Sequence, residues 1–306
     1  MNFAVYFLLF ALILISCVPR SGAPEKGKDS RFSLAHNKEQ ETISVFRTGG
    51  TTPVLIQHAK TGIRPYLHPI VAPDGNGELT EYSPAHHEHQ TGVYWGLKKV
   101  NGRDFFMNWK EDHWRKVSAD IVKKQGADVR WRTRYDLLDE NGREFLTEQQ
   151  TWTFRERDGR FMLDLEWRGT AKTEVTMEKF YVGGLFVRMP WRKGIRGAAI
   201  NSAGQRNGAA EGQRAIWNDI GLQVAGREDL AHIAILDHPD NNDFPTAWRV
   251  DNELGVGPSR QILGDWIIPP GETEVIRYRL VVFTGPLRPE KLTQDWKGFV
   301  CDGNEE

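Results

Sequence analysis

Cysteine is scarce in this chain: 306 residues hold two, Cys17 and Cys301. A disulfide framework is therefore excluded, and the fold must rest on burial. An excess of charge of one sign is also lacking. Lys and Arg number 40 against 41 Asp and Glu, a formal net charge of -1, and no basic block stands out, so nucleic acid is not an expected partner. Long apolar runs are missing beyond residue 17 and the mean hydropathy is -0.53, which excludes a multi-span membrane protein. Missing too are a GxSxG elbow, HExxH, a Walker loop and a dinucleotide fingerprint, so serine hydrolases, zincins, P-loop enzymes and Rossmann dehydrogenases are set aside. No segment sustains helical periodicity beyond a few turns, and no repeat of solenoid period occurs.

What is present is 39% apolar residues with 30 Gly and 11 Trp, a folded, turn-rich composition. The apolar run 3–15 is short for a bilayer span and is followed at once by Pro and charge, as in an export signal. Leu14-Ile15-Ser16-Cys17 matches the bacterial lipobox. The reading is therefore a signal peptide over 1–17, lipid on Cys17, a flexible tether over 18–40, and a single domain over 41–300. This places the protein at the bacterial cell envelope, touching the membrane through its lipid alone.

Within the domain, residues 128–137 alternate Val129, Trp131, Thr133, Tyr135 and Leu137 with charged neighbours, the period of a strand with one face buried. Asn141-Gly142 and Asp158-Gly159 punctuate the returns over 144–154 and 161–167, giving an antiparallel meander. Shorter strands are expected at 42–47, 54–59, 179–182, 185–188, 216–224, 232–237 and 275–283. The Gly-rich 194–213 is expected as a loop. So many short strands imply an all-β fold with few short helices, a large antiparallel β-sandwich.

The stretch 64–109 gathers His68, His86, His87 and His89 with Tyr94, Trp95 and Trp109 between Pro and Gly. On an extended strand His87 and His89 share one face, where they act as acid and base, bind sugar hydroxyls or hold a metal. No cofactor is expected; a divalent metal on His87 and His89 is the alternative. A sugar pocket needs aromatic platforms beside polar groups, which Trp95, Arg64, His68, Arg188 and Trp248 supply as substrate-binding candidates. Asp237 and His238 end a strand and join His87 and His89 as catalytic candidates. Glu178 and Asp265 are further carboxylates that could converge from separate strands.

Arg64-Pro65-Tyr66-Leu67-His68-Pro69, His87-x-His89-Gln90-Thr91-Gly92-Val93-Tyr94-Trp95-Gly96, 181–190, and Asp237-His238-Pro239 with Trp248 together resemble an exported bacterial family of unknown function commonly labelled PmoA-like, or methane oxygenase PmoA. The resemblance implies a galactose-mutarotase-like supersandwich. Methane oxidation itself is set aside, because such a subunit spans the membrane several times. The family's His-x-Gly ending is replaced by Gln90-Thr91-Gly92 after His89, so His87 and His89 both stay candidates. The expected function is carbohydrate processing of hydrolase, lyase or epimerase type on a sugar or other small polar substrate. A non-catalytic glycan-binding lipoprotein and a metal-dependent oxygenase using the His cluster are the alternatives.

Overall fold

The computed structural model describes residues 31–302. The alternation over 128–137 becomes a meander of three long strands, Asp128–Leu138, Glu144–Arg157 and Arg160–Ala171. On its inner face Trp131 stands opposite Trp152, which stands opposite Leu165. Asp158 and Gly159 close the second hairpin with φ of 53° and 67°, the left-handed pair whose twist matches that of the strands it joins.

The meander belongs to an eight-stranded antiparallel sheet. Its order is Gly197–Asn201, Trp217–Leu222, Ala231–Asp237, Thr273–Thr284, Arg160–Ala171, Glu144–Arg157, Asp128–Leu138 and Trp114–Lys123. A larger sheet of nine strands packs against it, in the order Trp248–Val250, Val256–Pro258, Gly184–Val187, Val93–Gly96, Tyr66–Ile70, Pro53–His58, Thr42–Arg47, Phe32–Asn37 and Gln125–Gly126. Between them one apolar layer joins Leu67, Val93, Trp95 and Val187 to Trp131, Leu165, Trp167 and Leu280. The fold is thus the all-β, large antiparallel sandwich that the alternation implies.

Each sheet also has an outer face. On the eight-stranded sheet, Leu292, Trp296 and Phe299 of helix Pro289–Asp302 cover Met162, Trp217, Leu236 and Val281. On the larger sheet, Tyr66, Tyr94, Phe106, Val182 and Phe186 form a separate cluster with no helix over it among the described residues. That open face is where the His-rich segment lies.

The structure corrects the sequence reading in several places. Part of the expected 18–40 tether is the strand Phe32–Asn37, which pairs with Thr42–Arg47 and buries Phe32 and Leu34. A strand, Gly197–Asn201, lies inside the expected 194–213 loop, held against Trp217–Leu222 by backbone pairing that tolerates glycine. Residues 179–182 are irregular, whereas Trp114–Lys123 is a strand that the charged residues of its outward face concealed. The C-terminal helix of 14 residues was also unexpected. Residues 1–17, with Cys17, lie outside the described residues.

Candidate functional site

The His-rich segment is a compact loop, not the extended strand expected. His87 N–H donates to Pro84 O at 2.8 Å and Gln90 N–H to His87 O at 2.9 Å, so the chain turns twice in seven residues and the imidazoles fan apart. The rings of His87 and His89 lie 5.8 Å apart at 84°. At the loop's exit Gly92 has φ +76°, and a Cβ there would meet Leu67 O at 2.3 Å; only glycine lets the backbone close on the sheet.

Arg64, expected to bind substrate, clamps this loop instead. Its side chain is fully buried, donating to Phe106 O at 2.8 Å and His89 O at 2.6 Å, with the guanidinium 3.7 Å from the Tyr94 ring centroid. Burial pulls the guanidinium down to about 10, so it remains charged at neutral pH and its role is positional.

Arg188 is likewise fully buried, and it organises a charge centre beside the loop. Its Nε donates to Glu81 Oε2 at 3.2 Å and its Nη1 to Glu253 Oε2 at 2.7 Å. His86 Nε2 lies 2.8 Å from the same Glu253 oxygen. His87 Nδ1 is 3.3 Å from it but makes no hydrogen bond, and is buried without a partner. Burial alone would raise the Glu253 carboxyl, but hydrogen bonds from Arg188 and His86 outweigh it and hold the group below the usual range. Glu253 is therefore a carboxylate at neutral pH, presented by a turn in which Asp251 Oδ1 accepts the N–H groups of Glu253 and Gly255.

His86, His87 and Glu253 bring their ligand atoms within 4.8 Å of one another, so the metal-capable trio includes His87 but not His89. The donor set fits a dication poorly. The Glu253 oxygen already carries the Arg188 guanidinium, whose Nη2 also lies 3.4 Å from His86 Nε2. A bound ion would share its carboxylate with a fixed positive charge.

Next to this centre a cavity of about 140 Å³ opens between the His loop and the segments carrying Lys98, Phe106, Tyr181 and Arg249. Gln90 lines it while only 3% exposed, and its Oε1 has no hydrogen-bond partner. A buried acceptor left open is costly unless something bonds to it. Around it stand Lys98, ion-paired to Asp104, and Arg249, which bonds Glu211 at 2.7 Å and lies over the Tyr181 ring at 5.1 Å. Burial, then the positive charge of Arg64, lowers His89 to about 4, so its imidazole is neutral at pH 7.

The remaining candidates separate. His68 shares the outer face of the larger sheet, bonding Thr80 Oγ1 at 3.1 Å and meeting Tyr82, which in turn touches Trp109; it does not line the cavity. Trp95 points inward and stacks on Trp167 at 4.6 Å, and Trp248 is fully buried with Nε1 donating to Ala215 O. Neither can touch a substrate, because the alternation of their strands turns them into the core. Asp237 is buried, accepting from the backbone of His238 and Thr246, and ties the loop that follows its strand. His238 packs on Phe299 of the C-terminal helix. Both sheets stand between His238 and the His loop, so Asp237 and His238 do not join His87 and His89. Glu178 pairs with Lys99 and Asp265 accepts from Lys179 N–H, and neither lines the cavity.

Glu81, Gln90, Lys98, Arg249, Asp251 and Glu253 were missed. Only the turn 251–255, Asp-Asn-Glu-Leu-Gly, was visible as a turn signal, and nothing local indicates that it faces the His loop.

A protein-family model described as a family of unknown function (DUF6807) matches residues 46–297. No curated protein matches significantly. Among solved structures the chain is similar to the GH36 alpha-galactosidase AgaB of Geobacillus stearothermophilus, at 9% identity and TM-score 0.42, covering 83% of this chain and 41% of that one. It is also similar to a galactose mutarotase related enzyme of Lactobacillus acidophilus, at 8% identity and TM-score 0.34, covering 82% and 97%. The Slr1438 protein of Synechocystis matches at 9% identity and TM-score 0.36, covering 87% and 99%. The chain thus spans about two fifths of the galactosidase. The matching family description includes neither a PmoA-like label nor methane oxidation.

Proposed function

The chain belongs to the DUF6807 family of unknown function, and from that premise we propose, on the site alone, that it binds and processes a carbohydrate on the outer face of the larger sheet. The observation that carries this reading is the Gln90 Oε1, a buried acceptor with no partner, opening into a cavity with Lys98, Arg249, Asp251 and aromatic rings around it. A sugar supplies hydroxyl donors for such an oxygen and an apolar C–H face for Tyr181 and Phe186. Proton movement falls to His87 and the neutral His89, with the Glu253 carboxylate 3.3 Å from His87 Nδ1 to stabilise its charged form. Hydrolysis, elimination and epimerisation each need such an acid and base.

Incubation with a glycan library, followed by mass spectrometry and isotope-exchange analysis with and without chelator, tests the reading. New or exchanged sugars, lost at least tenfold in His87→Ala or His89→Ala protein that remains folded, are expected. Saturable binding of unchanged sugars would replace the enzyme by a glycan-binding protein. Loss of turnover on chelation would favour a metal at His86, His87 and Glu253 and an oxygenase reading. The absence of both binding and turnover across the library would overturn the carbohydrate reading.

We further place the protein at the bacterial cell envelope through lipid on Cys17, resting on the apolar run 3–15 and the lipobox. Its likeness to the PmoA-like family rests on the motifs that carry it and adds no reaction. The mass of the N-terminal peptide from envelope-derived protein tests the lipid anchor: an acyl increment on Cys17 is expected, and a Cys17 without lipid would overturn it.

A further inference from the structure

The outer face of the eight-stranded sheet carries its own hollow, of about 200 Å³, beside the C-terminal helix. Four adjacent strands line it, contributing Arg130, Thr153, Asp164 and Arg277, and His238 stands at the end of the next strand over. With strands spaced roughly 4.8 Å apart, the backbone distance from the Arg130 strand to the His238 strand is about 19 Å. The hollow is a trough that runs across the strands.

Both ends of the trough present hydrogen-bond donors. At one end Asp240 N–H donates to His238 Nδ1 at 3.2 Å, so that nitrogen holds a lone pair, and the hydrogen of the neutral ring sits on Nε2. Nε2 is buried and has no partner among the described residues, the imidazole being 2% exposed and packed T-shaped with the Phe299 ring at 4.8 Å. An N–H fixed in that position calls for an acceptor that none of the described residues supplies.

At the other end Arg130 spends only its Nε, on Thr153 Oγ1 at 3.0 Å, and forms no ion pair among the described residues. The carboxylates between the two ends are already taken. Asp164 is bonded by Arg155 and Arg279, Glu166 by Arg168 and Arg277, and Asp302 by Arg279 and Arg155. Asp240 stands 3.9 Å from Arg277. Arg130 is left as the surplus cation.

We propose that this trough binds a short acidic glycan, a uronate carboxylate bonding Arg130 and a sugar oxygen further along accepting from His238 Nε2–H. Length comes from the strand spacing, and the sign of the ligand's charge comes from the unmatched guanidinium. The site is separate from the cavity at Gln90 and does not depend on the function proposed there.

Calorimetric titration of the full chain with digalacturonate, other uronate disaccharides, and neutral maltose as a control tests it. Saturable binding of an acidic disaccharide is expected, at least tenfold tighter than maltose and weakening with salt. Arg130→Gln and His238→Phe should each weaken it at least tenfold, while Gln90→Ala leaves it unchanged. Arg130 is half-buried on the outer side of its strand, so that variant keeps the test open if His238→Phe misfolds. Absence of binding by every uronate disaccharide, equal binding of maltose, or unchanged affinity in Arg130→Gln would overturn the proposal.

Discussion

Arg188 Nη1 lies 2.7 Å from Glu253 Oε2 while its Nε reaches Glu81 at 3.2 Å, so one buried guanidinium ties the segment before the His loop to the turn that faces it. Removing it leaves Glu81 to Arg192 and Glu253 to His86, each short of a charged partner in a partly desolvated place. Arg188→Ala should cost about 3–5 kcal/mol in urea denaturation, and Arg188→Lys should recover only part, because an ammonium cannot span both partners. A loss below about 1 kcal/mol would mean the pair is effectively solvated.

Gln90 trades stability for binding. Its Oε1 accepts from no protein donor among the described residues, so Gln90→Ala should leave the melting temperature unchanged or raised. Affinity for the sugar identified by the library screen should fall about tenfold, or about 1.4 kcal/mol. Unchanged affinity would remove Gln90 from the site.

His89 sets an acid limit. Its folded pKa is lowered to about 4, so it stays neutral until well below the ordinary histidine range. If its neutral form works in turnover, the acid limb of the pH profile falls near pH 4, not near 6.5. A limb near 6.5 that disappears in His89→Ala would show the ring to be better solvated than its packing suggests.

Glu148 gives the stability curve a slope. Burial raises it to about 7, against hydrogen bonds from Trp167 and Gln150 that lower it. The folded state therefore holds a proton that the unfolded state has released between about pH 4.5 and 7. Stability from this group is complete below that window and is lost as pH rises through it, on the order of 3 kcal/mol in all. Glu148→Gln should flatten the slope between pH 5 and 7 in denaturant titrations, whatever its absolute effect; an unchanged slope would assign it elsewhere.

Trp95 belongs to stability alone. Trp95→Ala opens a hole against Trp167 and should cost about 3–5 kcal/mol. Trp95→Phe should remain folded with unaltered sugar affinity in the same titration; a selective loss of affinity would return Trp95 to the site.

The sandwich was legible because period-two alternation is a local signal: Trp131, Tyr135 and Leu137 report their face without any knowledge of the partner strand. The helix was legible in principle, with Pro289 at its first position and Leu292, Trp296 and Phe299 spaced along one face. The His-rich segment reads as extended but folds as a loop, since two tight turns in seven residues depend on where Arg64 and Gly92 fasten them. Glu253 and Arg249 could not be found, because their value lies in facing a loop more than 150 positions away. Trp95 and Trp248 misled for the opposite reason: an indole suits a sugar and a core equally well, and only the facing sheet decides.

The missing side chain at residue 92 bears on how this protein can be altered. With Leu67 O 2.3 Å from where a methyl group would go, the base of the His loop cannot be raised, tilted or lengthened there without prising the chain from the sheet. New specificity would therefore have to be engineered at the opposite wall, at Met107, Tyr181 or Arg249, where substitutions change the mouth of the pocket while its hinge stays welded.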